Sequence, residues 1–305
     1  MILVTGASGL LGANLVMEAR SRSKKVLALF NRNRVYFPDV KSVQMDLLDT
    51  NKIKDLLLRY HPSCIIHCAA LTNVDWCEQH PSETLQFHKN VTRNIAQIAD
   101  EIGSSMIYIS TDSVFDGRRG NYSEKDRPNP QNVYAKTKLD GEFAVQKELE
   151  RHLIIRTNIY GWNLQEKKSI GEWMLDQFER NNPFLGFSDV ICSPILVNDL
   201  SNIILDLIEK ETRGLLHVGS NSPCSKYEFG KILAEVFSLN KDLIQPASID
   251  SMHFIAQRPK NTGLTVSKVQ EILMTNIPDV RSGLAKFKKY RDTGYNTTLK
   301  KFQGV

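Results

Sequence analysis

No stretch of the sequence approaches 18 consecutive apolar residues, so nothing in it reads as a membrane-crossing helix. No His, Cys and carboxylate residues stand together at ligand spacing, and no metal is expected. Cysteines are few, odd in number and irregularly placed: Cys64, Cys68, Cys77, Cys192 and Cys224. Cys64 and Cys68 fall on one expected strand, where four residues span about 13 Å, too far for a disulfide. All five are read as reduced thiols. The opening Met1-Ile2-Leu3-Val4-Thr5-Gly6 lacks a basic stretch and a cleavage site, which predicts a cytoplasmic protein without a membrane partner. Internal repeats and low-complexity tracts are absent too.

What is present is ordinary globular material. The chain has 305 residues, 41% hydrophobic and 24% charged, enough for one large domain with a smaller companion. The net charge of +5 is uneven: Arg281–Val305 holds seven basic residues and one acid, leaving 32 basic against 33 acidic residues elsewhere. Aromatics do not interleave with those cations as in a single-strand nucleic-acid site, so a solvated helix face is expected and no nucleic-acid partner.

The chemistry begins at the N-terminus. Met1–Thr5 is a short apolar run, and Gly6, Ser8, Gly9, Leu10, Leu11 and Gly12 follow at the turn into a helical pattern. Glycines there let a backbone approach a pyrophosphate, and the helix start offers unpaired N–H groups to it. Lys25–Phe30 reads as a second strand. An NAD-selective site would place an acid after it, but Asn31-Arg32-Asn33-Arg34 stands there. An arginine fork suits a 2′-phosphate, so Asn31 and Arg32 point to NADPH, with NADH still possible. Ser42–Asp46 is a third strand, with Asp46 and Leu47 placed to touch an adenine. A helix over Thr50–His61 stops at Pro62. Cys64–Ala70 is a buried strand whose His67 is expected to be a hydrogen-bonded interior residue. Its small Ala69 and Ala70 suit a close cofactor approach. A helix over Pro81–Ile102 and a strand at Met106–Ile109 lead into Ser110–Gly117.

Strand and helix alternate five times, which predicts right-handed βαβ units: an α/β, Rossmann-type, doubly wound parallel sheet with ligands at the strands' carboxyl ends. The next segment, Gln131 to about Arg151, has helical periodicity. It sets Tyr134 and Lys138 four residues apart, a phenol and an ammonium on one face. A fixed cation beside a phenol favours the phenolate, so Lys138 is expected to lower the pKa of Tyr134. A strand follows at His152–Asn158, then a helix near Ser169–Asn181, a loop Pro183–Asp189 and a helix Asn198–Glu209. A strand at Leu215–Val218 and helices at Pro223–Phe237 and Thr265–Thr275 complete the reading. The expected division is a cofactor domain of residues 1–156 plus about 190–220. A partly interleaved substrate lobe takes about 157–189 and 221–305.

Three segments together resemble the extended short-chain dehydrogenase/reductases: T-G-A-S-G-L-L-G at Thr5–Gly12, S-T-D-S-V-F-D-G at Ser110–Gly117, and N-V-Y-A-K-T-K-L-D-G-E at Asn132–Glu142. Ala69–Glu78, Cys224–Gly230 and Arg258–Leu264 narrow the likeness to the dTDP-4-dehydrorhamnose reductase family, over nearly the whole chain. The resemblance implies reduction of the 4-keto group of a nucleotide-linked 6-deoxysugar by NADPH. It makes Tyr134 the general acid, Lys138 the ribose-binding cation and Thr111 the group that polarises the carbonyl. It sets Val74, Thr111, Asp112, Ser113 and Arg258 toward a nucleoside-diphosphate sugar, and allows a homodimer.

Two departures stand near the expected sugar position. Ser113 replaces the family's usual tyrosine, and Arg156–Gly161 is one residue shorter than the family pattern and lacks its tryptophan. Alternatives stay open: a sugar-nucleotide epimerase, or a non-catalytic regulatory subunit like that of methionine adenosyltransferase. A 4,6-dehydratase is disfavoured, since Asp112-Ser113 follows Thr111 where those enzymes carry Asp-Glu.

Overall fold

The computed structural model describes residues 1–304. Each short apolar run near the N-terminus becomes a strand because helices cover both of its faces. All four residues of β1 (Ile2–Thr5), all five of β2 (Val26–Phe30) and all four of β4 (Cys64–His67) are buried. β3 (Lys41–Gln44) lies at the edge and is polar. The intervening helices are α1 (Leu10–Ser21) and α2 (Thr50–Tyr60), the latter capped by Asp49. Next come α3 (Val74–Gln79), α4 (Pro81–Leu85), a π-helical turn at Gln86–Val91, and α5 (Thr92–Glu101). β5 (Ser105–Thr111), α6 (Val133–Glu148) and β6 (His152–Tyr160) complete the alternation.

The chain continues through α7 (Ile170–Glu179), β7 (Phe184–Phe187), β8 (Ile191–Cys192), β9 (Pro194–Leu196), α8 (Val197–Glu209) and β10 (Gly214–His217). It ends with β11 (Cys224–Ser225), α9 (Lys226–Phe237), β12 (Ile244–Ala247), α10 (Ser267–Leu273), α11 (Val280–Asp292) and α12 (Tyr295–Lys300).

Seven parallel strands run in the order β3-β2-β1-β4-β5-β6-β10, and β9 extends the far end of β6. The order reverses between β1 and β4, where Thr5 pairs with His67, and that switch point opens a crevice at the carboxyl ends. Alternation sends Ile2, Val4 and Ile66 to the core shared with α1 and α8, and Leu3, Ile65 and Tyr108 to the core under α2 and α5. The smaller C-terminal subdomain adds two two-stranded sheets, β7 with β12 and β8 with β11. No helix is long and apolar enough to cross a membrane among the described residues.

The differences from the sequence reading are local. The Cys64–Ala70 strand ends at His67. The Pro81–Ile102 helix is interrupted by the π-helical turn. The segment read as a loop at Pro183–Asp189 contains β7, whose partner β12 lies some sixty residues on; such pairing leaves no local pattern. The helix expected from Pro223 begins at Lys226, because Ser225 and Glu228 form a reciprocal capping box there.

Candidate active site

The glycine turn is built for close approach. Gly6 has φ +65°, and a Cβ there would sit 2.8 Å from the Ala69 backbone. A Cβ on Gly12 would lie 2.2 Å from the Gly6 oxygen, so α1 lies directly on the turn. No side chain caps α1 and no acid occupies its first turn, leaving its amide groups and positive dipole end for an anion. Ser8 is partly buried, Gly9 exposed, Leu10 partly buried and Leu11 buried. The Thr5 hydroxyl joins the two central strands: it meets His67 Nδ1 at 2.7 Å and accepts from the Ala69 amide at 3.3 Å. His67 also reaches Thr92 at 3.2 Å, and burial, with the Lys138 charge adding, pushes it down to about 3. It is the hydrogen-bonded interior residue the sequence suggested. Ala69 and Ala70 follow, partly buried, where the backbone nears the glycine turn.

Beyond β2, Asn31 and Arg32 are exposed, as is Arg34, and among the described residues no carboxylate pairs with either arginine. Asp46 is exposed and accepts from the Leu48 amide at 3.1 Å, turning the chain so that Leu47 is buried. The uncapped helix start, the close-approach glycines and two arginines with no carboxylate partner among the described residues form a donor set that fits a dinucleotide with an extra phosphate.

Thr111 is the last residue of β5. Its hydroxyl accepts from the Ser113 amide at 3.1 Å and lies 3.2 Å from Asp112 Oδ1. Asp112 is buried, and burial raises its pKa against four hydrogen bonds. Its Oδ2 accepts from Thr262 at 2.6 Å and Asn158 at 3.0 Å, and its Oδ1 from Ser113 Oγ at 3.3 Å. Asp112 thus ties the ends of β5 and β6 to the Arg258–Leu264 segment.

Asn132 caps α6, accepting from the Ala135 amide at 2.9 Å and donating to the Gln257 carbonyl at 2.8 Å. Glu78 on α3 accepts from the Val133 amide at 2.8 Å. These bonds fix the first turn, which carries Tyr134. Burial pushes the phenol up to about 12, while the adjacent Thr111 hydroxyl pulls the other way. Lys138 donates to the Ile109 carbonyl at 2.7 Å and stands 4.0 Å over the Tyr108 ring. Burial lowers it to about 7, against the pull of Glu142. Tyr134 therefore stands above its ordinary value and not below it, as its spacing from Lys138 had suggested. The Lys138 ammonium is turned to a carbonyl and a different ring, and desolvation governs both groups.

Features near Tyr134 also escaped the sequence reading. His88 lies in the π-helical turn, buried, accepting from the Leu71 amide at 3.0 Å and meeting Thr137 Oγ1 at 2.9 Å. With Nε2 accepting, Nδ1 carries the proton toward Thr137. Its ring stands edge-on to Tyr134 with centroids 5.7 Å apart, so one side chain braces both walls of the crevice. Only a helical pattern slipping by one residue would have signalled it. Beneath the site, Glu142 and Arg156 form a buried pair at 2.6 Å, with Ser110 donating to Glu142 at 2.5 Å.

On the opposite wall, Val74 opens α3, and its neighbour Asp75 pairs with Arg258 at 2.9 Å. The second terminal nitrogen of Arg258, Nη1, is buried without a partner among the described residues. Arg258 stacks 5.3 Å from Phe254, Lys226 lies 5.7 Å from Phe187, and the two rings are 6.2 Å apart. The sequence reading missed Lys226, Phe187 and Phe254, which converge only through the C-terminal fold. The structure brings Thr111, Asp112, Ser113, Tyr134 and Lys138 together. It keeps Asn31, Arg32, Asp46 and Leu47 at the outer strand ends and Arg258 on the facing lobe.

The family described as "RmlD substrate binding domain" matches residues 1–291. Methionine adenosyltransferase 2 subunit beta of Bos taurus is 33% identical over 279 residues, covering 89% of this chain and 82% of that protein. A probable low-salt glycan biosynthesis reductase, Agl14, of Haloferax volcanii is 30% identical over 286 residues, covering 92% and 95%. Among solved structures, dTDP-4-dehydrorhamnose reductase of Bacillus anthracis in complex with NADP superposes with TM-score 0.84 at 27% identity, covering 94% and 98%.

Proposed function

The chain belongs to the RmlD substrate-binding domain family of extended short-chain dehydrogenase/reductases, a family of sugar-nucleotide reductases that use NAD(P)H, and on that premise we propose that it reduces the 4-keto group of a nucleotide-linked 6-deoxysugar with NADPH. The proposed setting is deoxysugar or cell-surface polysaccharide biosynthesis. The observation that carries this reading is the crevice trio: the Thr111 hydroxyl, a Tyr134 phenol held protonated by burial, and Lys138 on the same helix face.

NADPH would supply the hydride. Gly6–Gly12 would hold its pyrophosphate, Arg32 its 2′-phosphate, and Asp46, Leu47, Ala69 and Ala70 would line its path. Tyr134, neutral at pH 7, is suited to donate its proton to the oxygen that becomes an alkoxide. Thr111 would polarise that oxygen beforehand, its hydroxyl oriented by the Ser113 amide and Asp112. Lys138, brought to about 7, would hold the cofactor's ribose once the cofactor is bound. The division into a cofactor domain and a substrate lobe is part of the proposal. In the lobe the partner-free Arg258 nitrogen and Lys226 suit a diphosphate, and Phe187 and Phe254 offer faces to a base.

The relative named as a subunit of methionine adenosyltransferase supports a second reading, a nucleotide-binding subunit of a larger assembly. One experiment separates the two: NADPH oxidation by the purified protein against a panel of nucleoside-diphosphate 4-keto-6-deoxysugars. Turnover supports the reductase and identifies the sugar. NADPH binding without turnover on any panel member defeats it in favour of the subunit.

A further inference from the structure

The family match stops at residue 291, yet the chain continues in ordered structure against the cofactor-binding half. α12 is anchored there by Tyr295, whose hydroxyl donates to Asn14 Oδ1 on α1 at 2.8 Å and accepts from Asn198 at 3.2 Å. Leu299 is fully buried. The following residues then pair with the segment after β2. The Tyr36 amide donates to the Phe302 carbonyl at 2.9 Å, and the Gly304 amide donates to the Arg34 carbonyl at 2.9 Å. Val35 and Gln303 form an antiparallel bridge between these bonds. The Phe302 ring lies 5.7 Å from that of Phe37, which is fully buried. Gly304 also lies against the Arg34 side chain, so close that a Cβ there would meet Arg34 Cγ at 2.8 Å.

We infer that Tyr295–Gly304 is a strap that holds the Arg32–Arg34 turn in place for a 2′-phosphate, and so sets the preference of this chain for NADPH over NADH. The turn follows β2 and is exposed, and among the described residues no carboxylate pairs with its two arginines. Left to itself, such a segment would have to order its backbone and two long side chains each time a phosphate bound. The strap supplies that order beforehand through backbone bonds. It is anchored on α1, the same helix whose uncapped start would face the pyrophosphate. The inference rests on the NADPH reading above and concerns cofactor choice alone.

The test is binding of NADPH and NADH, by titration, to the full-length protein and to two variants. Phe302→Ala removes the aromatic anchor, and Gly304→Pro removes the amide that donates to Arg34. The expected result is a loss of NADPH affinity of about tenfold, with NADH binding within twofold of wild type. Unchanged NADH binding also certifies that the variants are folded. Equal losses for both cofactors, or no loss for NADPH, would overturn the strap. If the wild-type protein itself binds both cofactors equally, the NADPH preference falls and the strap falls with it. If wild type prefers NADPH and both variants keep that preference, the strap alone falls.

Discussion

His88 makes an acid-sensitive brace, and the size of the effect follows from its surroundings. Its Nε2 accepts from the Leu71 amide and its other nitrogen meets Thr137, so the fold holds it neutral. Burial, with the Lys138 charge adding, pushes it down to about 2 from an ordinary 6.5. Between those values the unfolded chain binds a proton that the folded chain refuses. Stability is therefore whole above about pH 6.5 and falls as the pH drops below it. At pH 5 the gap is about 1.5 pH units, or about 2 kcal/mol at roughly 1.4 kcal/mol per unit. His67 and His217, each buried and pushed down to about 3, act in the same direction. Buried Asp112 and Glu172, whose pKa values are raised, act in the opposite one. The His88 share is isolated by comparing wild type with His88→Gln in urea unfolding at pH 7.5 and pH 5. The variant is expected to lose about 2 kcal/mol less than wild type across that interval. Equal losses in the two proteins would show that His88 is not held neutral, and the brace would have to be abandoned.

Gly12→Ala places a methyl 2.2 Å from the Gly6 oxygen; α1 must shift from the turn, and loss of measurable NADPH binding by fluorescence titration is expected. Glu142→Gln removes one charge of a pair whose side chains are 4% and 2% exposed, leaving Arg156 buried without its counter-ion; a cost of about 3–5 kcal/mol in denaturant unfolding is expected. Arg32→Ala should weaken NADPH binding far more than NADH binding, and equal losses would remove Arg32 from the 2′-phosphate.

The fold was legible where a local pattern carried it. Apolar strand runs, the glycine turn and the Tyr134 helix are written in consecutive residues, and the parallel character of the sheet follows from their alternation. What stayed hidden depends on residues distant in sequence. β7 exists because Ile244–Ala247 pairs with it, and Lys226, Phe187 and Phe254 converge only once the C-terminal subdomain has formed. The electrostatics misled for the same reason. Tyr134 and Lys138 four residues apart suggest a phenol lowered by its neighbour, but the Ile109 carbonyl, on another element, claims the ammonium. Burial of the phenol then outweighs the cation that the sequence placed beside it.

In the proposed reaction Tyr134 gives its proton to the reduced sugar. Replacing it by phenylalanine removes one hydroxyl and little contact area. The deciding measurement is turnover of a 4-keto sugar nucleotide by Tyr134→Phe, taken beside its NADPH dissociation constant. Turnover is expected nearly to vanish while NADPH binding stays within a few-fold of wild type. Turnover unchanged from wild type would contradict that proton transfer.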